Sequence, residues 1–343
     1  MDKIDIKNLT LDELTTHITN LGEQKFRAKQ IFNWLHQKNV DSFDKMLNLP
    51  KSLKQKLNEN FKITKIEIVK KLVSQIDNTT KYLFELENNH IIESVLMEYS
   101  YGNAVCISTQ VGCRMGCKFC ASTLDGLERN LLASEMLSQI YKIQQDSGKK
   151  VRSIVLMGSG EPFDNFDNFI KFVKIINSQE GLNIGQRHIT VSTCGIVPKI
   201  YELADMQMQI NLALSLHAPK DENRKNIMPI ANKFTVKEVV DACKYFANKT
   251  KRRVTYEYAL IAGVNDNKQD AKDIIDLLKG SLAHVNLIPV NDVKERNFTK
   301  SSKDQIKTFA NILSKAGIET TIRRELGSDI NAACGQLRRS YKY

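Results

Sequence analysis

Hydrophobic positions in the first sixty residues recur at helical spacing. Thr10-Leu11-Asp12-Glu13 has the form of a capping box, and Leu11, Leu14, Ile18 and Leu21 follow on one face. Ala28, Ile31, Phe32 and Leu35 mark a second helix, and Pro50-Lys51 opens a third. Trp34, the single tryptophan, is expected to pack this bundle. From Ile63 the period falls to two. Ile66 and Ile68 alternate with polar residues, Asp77-Asn78 and Asn88-Asn89 mark turns, and the run from Ile91 to Met97 ends a small antiparallel sheet.

After Tyr101 strand-like runs alternate with amphipathic helices. The expected strands are 104–109, 153–157, 188–192, 210–216, 254–260 and 284–289, and the helices between them lie near 134–145, 166–177, 236–247 and 271–278. Repeated strand–helix units imply a parallel sheet, because each crossover returns the chain to the same end. Six units are too few to close an eight-fold barrel. The expected fold class is therefore α/β: a partial (βα)6 TIM-like barrel with an N-terminal helical domain and a small antiparallel sheet. Its active site should lie at the C-terminal ends of the strands. A last helix near 303–316 and a strand at 320–323 lead into a basic tail. The units so delimited are an N-terminal helical domain (1–60), an antiparallel extension (61–100), the barrel core (101–292) and a basic C-terminal region (293–343).

Charge adds a class of partner to this picture. The chain carries a formal charge of +11, and from Lys294 to Tyr343 there are 11 Lys/Arg against 5 Asp/Glu, so +6 of it falls in that segment. Such surfaces attract phosphodiester backbones by counterion release, although a solvated basic face is an equal reading of charge alone. No apolar run approaches the ~18 residues of a membrane helix, and Met1-Asp2-Lys3-Ile4-Asp5 lacks a signal peptide's apolar segment. A cytoplasmic protein with no membrane partner is expected. All seven cysteines lie at or beyond Cys106, and a disulfide framework is not expected in that compartment.

Three of those cysteines stand in Gly112-Cys113-Arg114-Met115-Gly116-Cys117-Lys118-Phe119-Cys120, directly after the first barrel strand. Soft thiolates select zinc or iron–sulfur clusters. Structural zinc wants four closed ligands, and no second cysteine pair lies nearby. Three thiolates on a [4Fe-4S] cluster leave one iron open for chemistry. This C-x3-C-x2-C loop after strand one of a partial barrel resembles the signature of the radical S-adenosylmethionine superfamily. The resemblance implies a radical SAM barrel whose cluster, held by Cys113, Cys117 and Cys120, cleaves S-adenosyl-L-methionine to a 5′-deoxyadenosyl radical. Candidate cofactor-binding residues then cluster at strand ends: Gly160 and Glu161 after strand two, Ser192 at strand three, Ser215, Leu216 and His217 at strand four, and Asn291 after strand six.

Cys106-Ile107-Ser108-Thr109-Gln110-Val111-Gly112-Cys113, Gly160-Glu161-Pro162, Ser215-Leu216-His217-Ala218-Pro219 and Asp329-Ile330-Asn331-Ala332-Ala333-Cys334-Gly335-Gln336-Leu337 carry a closer resemblance. Over nearly the whole chain it is similar to the dual-specificity 23S rRNA/tRNA adenine-C2 methyltransferases. That family implies roles for three more residues: Cys334 as the S-methylcysteine intermediate, Cys106 as the resolving thiol and Glu93 as proton acceptor. It also implies 23S rRNA and tRNA as partners, an electron donor such as flavodoxin or ferredoxin, and a monomer. Without the resemblance, Cys106 would read as a buried strand thiol and Glu93 as a solvent-facing strand charge. Cys194 and Cys243 match no family role and are assigned as structural. Three alternatives stand beside this reading. One is a C8-specific methyltransferase of the same ribosomal adenosine, which confers antibiotic resistance; Pro162 after Gly160-Glu161 favours the C2 group over it. Another is a glycyl-radical activase, and the last is a non-enzymatic iron–sulfur or zinc redox sensor that binds nucleic acid.

Overall fold

A computed structural model of the chain describes residues 3–291, 295 and 297–337. The expected boundary at 292–293 and the last six residues of the basic tail, with Arg338, Arg339 and Lys342, lie outside the described residues. Helices α1 (Leu11–Asn20), α2 (Phe26–His36) and α3 (Lys51–Asn60) form the N-terminal unit, tied off where β1 (Ile4–Asp5) pairs in parallel with β2 (Phe61–Lys62). The capping box opens α1: the Glu13 N–H donates to Thr10 Oγ1 at 3.3 Å, and the Thr10 N–H donates to Glu13 Oε2 at 2.8 Å. Trp34 packs against the core from one face and donates to Asn48.

One sheet of ten strands follows. Antiparallel strands β3 (Glu67–Val73), β4 (Thr79–Glu85) and β5 (Ile91–Tyr99) lead into β6 (Gly102–Cys106). Strands β9 (Val151–Leu156), β10 (Ile189–Thr193), β11 (Asn211–Ser215), β12 (Val254–Leu260), β13 (Ala283–Pro289) and β14 (Glu319–Ile322) then add to β6, every pairing parallel. The antiparallel extension is thus no separate sheet, because β5 hydrogen-bonds directly to the first barrel strand. The strand expected at 320–323 adds a seventh parallel member at the far edge. Between β6 and β9 the short hairpin of β7 (Gln110–Gly112) and β8 (Leu127–Asn130) brackets the cysteine loop.

Helices α4 (Ala133–Ser147), α5 (Phe166–Ile176), α6 (Val197–Asp205), α8 (Val236–Thr250), α9 (Lys268–Leu278) and α10 (Lys303–Lys315) make the six crossovers, with the short α7 (Asp221–Ile227) preceding α8. Two of these, α6 and α7, are absent from the periodicity reading, since each is under three turns and too short to show a repeat. Apolar faces of the crossover helices, such as Phe169, Phe172, Val173 and Ile176 of α5, are buried against strand residues such as Ile154, Ile189 and Val191. At ~1.5–3 kcal/mol per buried side chain this packing is the main stabilising term.

The helical unit docks on α4 through His36, whose Nδ1 lies 2.9 Å from Tyr141 Oη inside the core. His36 is fully buried and its Nε2 has no partner. Burial, helped by nearby Lys7, pulls its pKa down to about 3. The unfolded chain therefore binds a proton near pH 6.5 that the folded one refuses, and stability falls as pH drops from about 6.5 toward about 3. Thermal unfolding scans of wild type and His36→Phe across that range should show a shallower loss of Tm in the variant. Parallel curves would place the proton uptake elsewhere.

Candidate active site

The Ser108-Thr109-Gln110 stretch explains its own composition once its contacts are traced. Ser108 Oγ donates to the Glu93 carbonyl at 2.6 Å and accepts the Ser159 N–H at 2.9 Å. Gln110 Oε1 accepts the Glu161 N–H at 2.8 Å, while its Nε2 donates to Asp164 at 3.0 Å. Arg114, on the cysteine loop, also pairs with Asp164. The loop after β6 and the Gly-Ser-Gly-Glu loop after β9 are therefore one stitched unit. Gly160 is required for that closeness. Its φ is +108°, and a Cβ there would stand 2.6 Å from Gln110 Cβ.

Above this unit lies a cavity of roughly 990 Å³ including its open mouth. It is lined by Cys113, Cys117 and Cys120, by Gly160, Glu161, Ser192, Ser215, His217 and Asn291, and by Cys334. Of the cofactor residues expected from sequence, Leu216 alone is not on the lining: its side chain belongs to the core. Cys106 and Glu93 are not among its lining residues.

Burial, with mutual repulsion, pushes Cys113 up to about 12 and Cys117 well up. A bound cation would offset this and favour the ionised form of Cys113 and Cys117. Among the described residues no three Cys, His, Asp or Glu groups converge on a single ion. The fit to an iron–sulfur cluster rests on donor chemistry: Cys113, Cys117 and Cys120 are three soft thiols lining one cavity. His217 is neutral: burial and nearby Arg224 pull it down to about 3. Its Nδ1 accepts the Ala259 N–H at 2.8 Å, so its proton resides on Nε2. Glu161 accepts N–H groups from Cys194 at 2.8 Å and Phe163 at 3.0 Å, and burial raises its pKa against them. Cys194 borders the cavity and Cys243 is wholly in the core.

Cys334 reaches this rim on a loop fastened at both ends. Asp329 accepts from Ser74 Oγ at 2.7 Å and the Gln75 N–H at 2.8 Å, which anchors the loop to the β3–β4 turn. Lys81 Nζ donates to the Asn331 carbonyl at 3.1 Å, and Asn291 Nδ2 donates to the Cys334 carbonyl at 2.9 Å. Beyond Cys334, the Gly335 carbonyl accepts the Ala121 N–H at 2.7 Å and the Leu337 carbonyl accepts Ser122 Oγ at 2.6 Å. The loop covers one face of β5 and β6, where Ala332 and Leu337 pack with Val95, Met97, Ala104 and Cys106.

On that face Cys106 registers opposite Val95, so Glu93 sits one pleat away on the same side. Glu93 is not solvent-facing: it is 1% exposed and pairs with buried Lys81 at 2.9 Å. The C-terminal loop roofs both. Desolvation and the neighbouring Cys334 push Cys106 up to about 12, opposed by Arg323 and by the Met157 N–H. Cys334 is raised by desolvation and lowered by Arg323.

Three charged groups here belong to no sequence motif: Glu257, Arg323 and Arg224. Arg224 is fully buried and donates to the carbonyls of Cys194, Ser215 and Leu216, joining the ends of β10 and β11. A usable signal existed for Glu257. An acidic residue inside Val254–Leu260 is out of place in a parallel strand covered on both faces.

Comparison with known proteins gives this geometry its family. The radical SAM superfamily matches residues 107–278, and the ribosomal RNA large subunit methyltransferase N-terminal domain matches residues 4–63. A probable dual-specificity RNA methyltransferase RlmN of Clostridium botulinum (strain Eklund 17B / Type B) is 60% identical, over 98% of this chain and 97% of that protein. The chain belongs to the RlmN family. An RlmN relative from Alkaliphilus oremlandii (strain OhILAs) is 59% identical over 99% of both chains. The crystal structure of a radical SAM methyltransferase from Sphaerobacter thermophilus superposes with a TM-score of 0.92, at 40% identity, covering 98% of this chain and all of that one. Family membership makes the chain a radical SAM methyltransferase whose cofactors are a [4Fe-4S] cluster and S-adenosyl-L-methionine, and it sets aside the non-enzymatic sensor. No helix among the described residues is long and apolar enough to cross a membrane.

Two replacements test this site by separate readouts. Cys113→Ala, Cys117→Ala or Cys120→Ala should each remove the brown chromophore of anaerobically reconstituted protein and its content of about four irons. Gly160→Ala should keep the irons yet weaken S-adenosylmethionine binding more than tenfold in equilibrium dialysis, a loss of over ~1.4 kcal/mol. Unchanged cofactor affinity in Gly160→Ala would mean that this loop does not cradle it.

Proposed function

We propose that this enzyme methylates carbon 2 of adenosine, in 23S rRNA at the peptidyl transferase centre and in tRNA at the position 3′ to the anticodon. It would do so through an S-methyl intermediate on Cys334 and a covalent RNA adduct. The observation that carries this reading is Cys334 itself, which stands in the same cavity as the three loop cysteines with Cys106 beside it.

Adenine carbon 2 lies between two ring nitrogens, is electron-poor and does not attack an electrophilic methyl. The cofactors together supply a transferable methyl group and, at the reduced cluster, a 5′-deoxyadenosyl radical. The protein's part begins with the Cys334 thiolate, which takes the methyl by displacement. A hydrogen atom of that S-methyl group would pass to the 5′-deoxyadenosyl radical, and the carbon radical left would add to carbon 2 and tie Cys334 to RNA, the odd electron of the adduct returning to the oxidised cluster. Glu93 is the proposed acceptor for the carbon-2 proton, one pleat from Cys106 and paired with Lys81. Cys106 finally attacks the Cys334 sulfur as a thiolate, forming a disulfide; the S–C bond breaks with its electron pair on the carbon-2 methylene, which takes up a proton and leaves as the methylated base. Gly160, Glu161, Ser192, Ser215, Leu216, His217 and Asn291 are assigned to the cofactor, with the His217 Nε2–H available as a donor.

The proposal extends to partners. RNA would be held jointly by the helical unit (1–60) and the basic C-terminal region (293–343). A one-electron donor such as flavodoxin or ferredoxin would reduce the cluster. The enzyme would act as a monomer in the cytoplasm, where ribosomes and tRNA are found.

The two thiols act at different times, which makes their variants separable. Cys334→Ala should give neither methylated RNA nor a protein–RNA link. Cys106→Ala should stall after addition and run as a slow, reductant-resistant protein–RNA band on a denaturing gel, since a thioether is not a disulfide. The band should vanish in the double variant. Normal turnover by Cys106→Ala would refute the resolving role, and mapping of methyladenosine isomers would separate carbon 2 from carbon 8.

A further inference from the structure

We infer that Arg323 is the fixed cation that brings Cys334, and later Cys106, within reach of the thiolate form, with Glu257 moderating its pull. The inference rests on the two-cysteine reading above and adds two residues to it.

Arg323 directly follows β14, the edge strand. Its N–H donates to the Leu287 carbonyl at 2.9 Å and so continues the β13–β14 ladder by one step. Its backbone is thereby fixed, and its side chain turns inward. Nη1 lies 3.8 Å from Met157 Sδ, and the Met157 N–H is the same group that donates to the Cys106 sulfur. A second cavity, of about 410 Å³, lies beneath the C-terminal loop, and Arg323, Asn291, Ile288 and Cys334 border both. Cys334 and Arg323 therefore share the partition between the two spaces.

Among the described residues lining the main cavity, Arg323 is the one permanently charged cation; His217 is neutral, and Glu161 and Glu257 are acids. Glu161 is engaged by two backbone N–H groups, whereas Glu257 takes one bond from Asn286 Nδ2, at 2.8 Å, and lies within the field of Arg323. Tyr99, Cys106, Cys334 and Glu257 are the titratable groups around the guanidinium. Arg324 and Glu325 line the second cavity, and the Lys81–Glu93 pair occupies the far part of the sheet face. Arg323 favours the ionised form of both thiols, and Glu257 opposes it at Cys334.

The step needs this help because only a thiolate is nucleophilic, and desolvation holds Cys334 as a thiol. The Sγ proton leaves to bulk water. The sulfur lone pair then forms the new S–C bond as the methyl–sulfonium bond breaks, and that bonding pair stays on the departing sulfur as S-adenosylhomocysteine. A cation fixed beside the nucleophile is in place before S-adenosylmethionine binds and adds to the attraction of its sulfonium.

Iodoacetamide reports thiolate content without the reaction. Cluster-loaded wild type, Arg323→Met, Arg323→Lys and Glu257→Gln would be alkylated across a pH series without S-adenosylmethionine, and Cys334 and Cys106 quantified by peptide mass spectrometry. Arg323→Met should move the Cys334 midpoint up by about one pH unit or more, about a tenfold loss of rate at neutral pH. Arg323→Lys should recover most of that shift, and Glu257→Gln should move the midpoint down. Equal midpoints in wild type and Arg323→Met, or no downward shift in Glu257→Gln, would overturn the inference. If Arg323→Met does not fold, the direction of the Glu257→Gln shift decides. Wild type incubated with S-adenosylmethionine and digested tests the underlying reading by itself. A Cys334 peptide without a methyl group would strike the two-cysteine mechanism while leaving the alkylation profiles to judge Arg323.

Discussion

The parallel direction of β6 and β9–β14 fixes where every loop of consequence must emerge. Each strand ends at one rim, and each helical crossover returns the chain to the other. Residues separated by more than 170 positions, from Cys113 to Asn291, thereby line one cavity without any long-range motif linking them. The strand ends must also be kept from splaying, since backbone carbonyls there have no further ladder partner. Arg224 meets that need between β10 and β11 by taking three carbonyls on one guanidinium. Gln110 and Ser108 do the corresponding work between the loops after β6 and β9.

A barrel alone would leave Cys334 out, because it lies past the last strand. What returns it to the rim is the antiparallel extension. β3–β5 widen the sheet beside β6, and the β3–β4 turn offers Ser74 and the Gln75 N–H as a mooring for Asp329. The extension, which carries no cysteine, thus positions one. It also supplies Glu93 and Lys81, so the face roofed by the C-terminal loop holds an acid, a cation and a thiol. A buried ion pair of this kind is a weak source of stability, because desolvating two charges offsets their attraction. Its presence under the C-terminal loop is what the proton-accepting role proposed for Glu93 would call for.

What the sequence disclosed follows from how each residue is used. The six barrel strands and their main helices were legible because burial against a sheet imposes a period, and the Thr10–Glu13 box because capping is local. The cysteine loop was legible because cluster ligation needs three thiols close in sequence. Residues that act through tertiary neighbours leave no such trace. Glu93 reads as a surface charge until the C-terminal loop is laid over it, and Leu216 shares a motif with Ser215 and His217 while its side chain serves the core. Arg323 lies in a run of basic residues and looks like part of an RNA-binding face. The fusion of the antiparallel strands to β6 was hidden as well, because alternation reveals a strand but not its partner.

The same logic ranks the charges on the rim. Exposed basic residues serve a long, flexible polyanion well, because screening and mobility matter little when many weak contacts sum. A single displacement at sulfur makes the opposite demand. It needs one cation held in place before the nucleophile ionises, with an acid in the same cavity to moderate its pull. Arg323 is pinned by its own strand register and lines the same cavity as Glu257. It meets that demand where an exposed surface lysine would not, which is why it separates from the other basic residues although sequence composition counts them together.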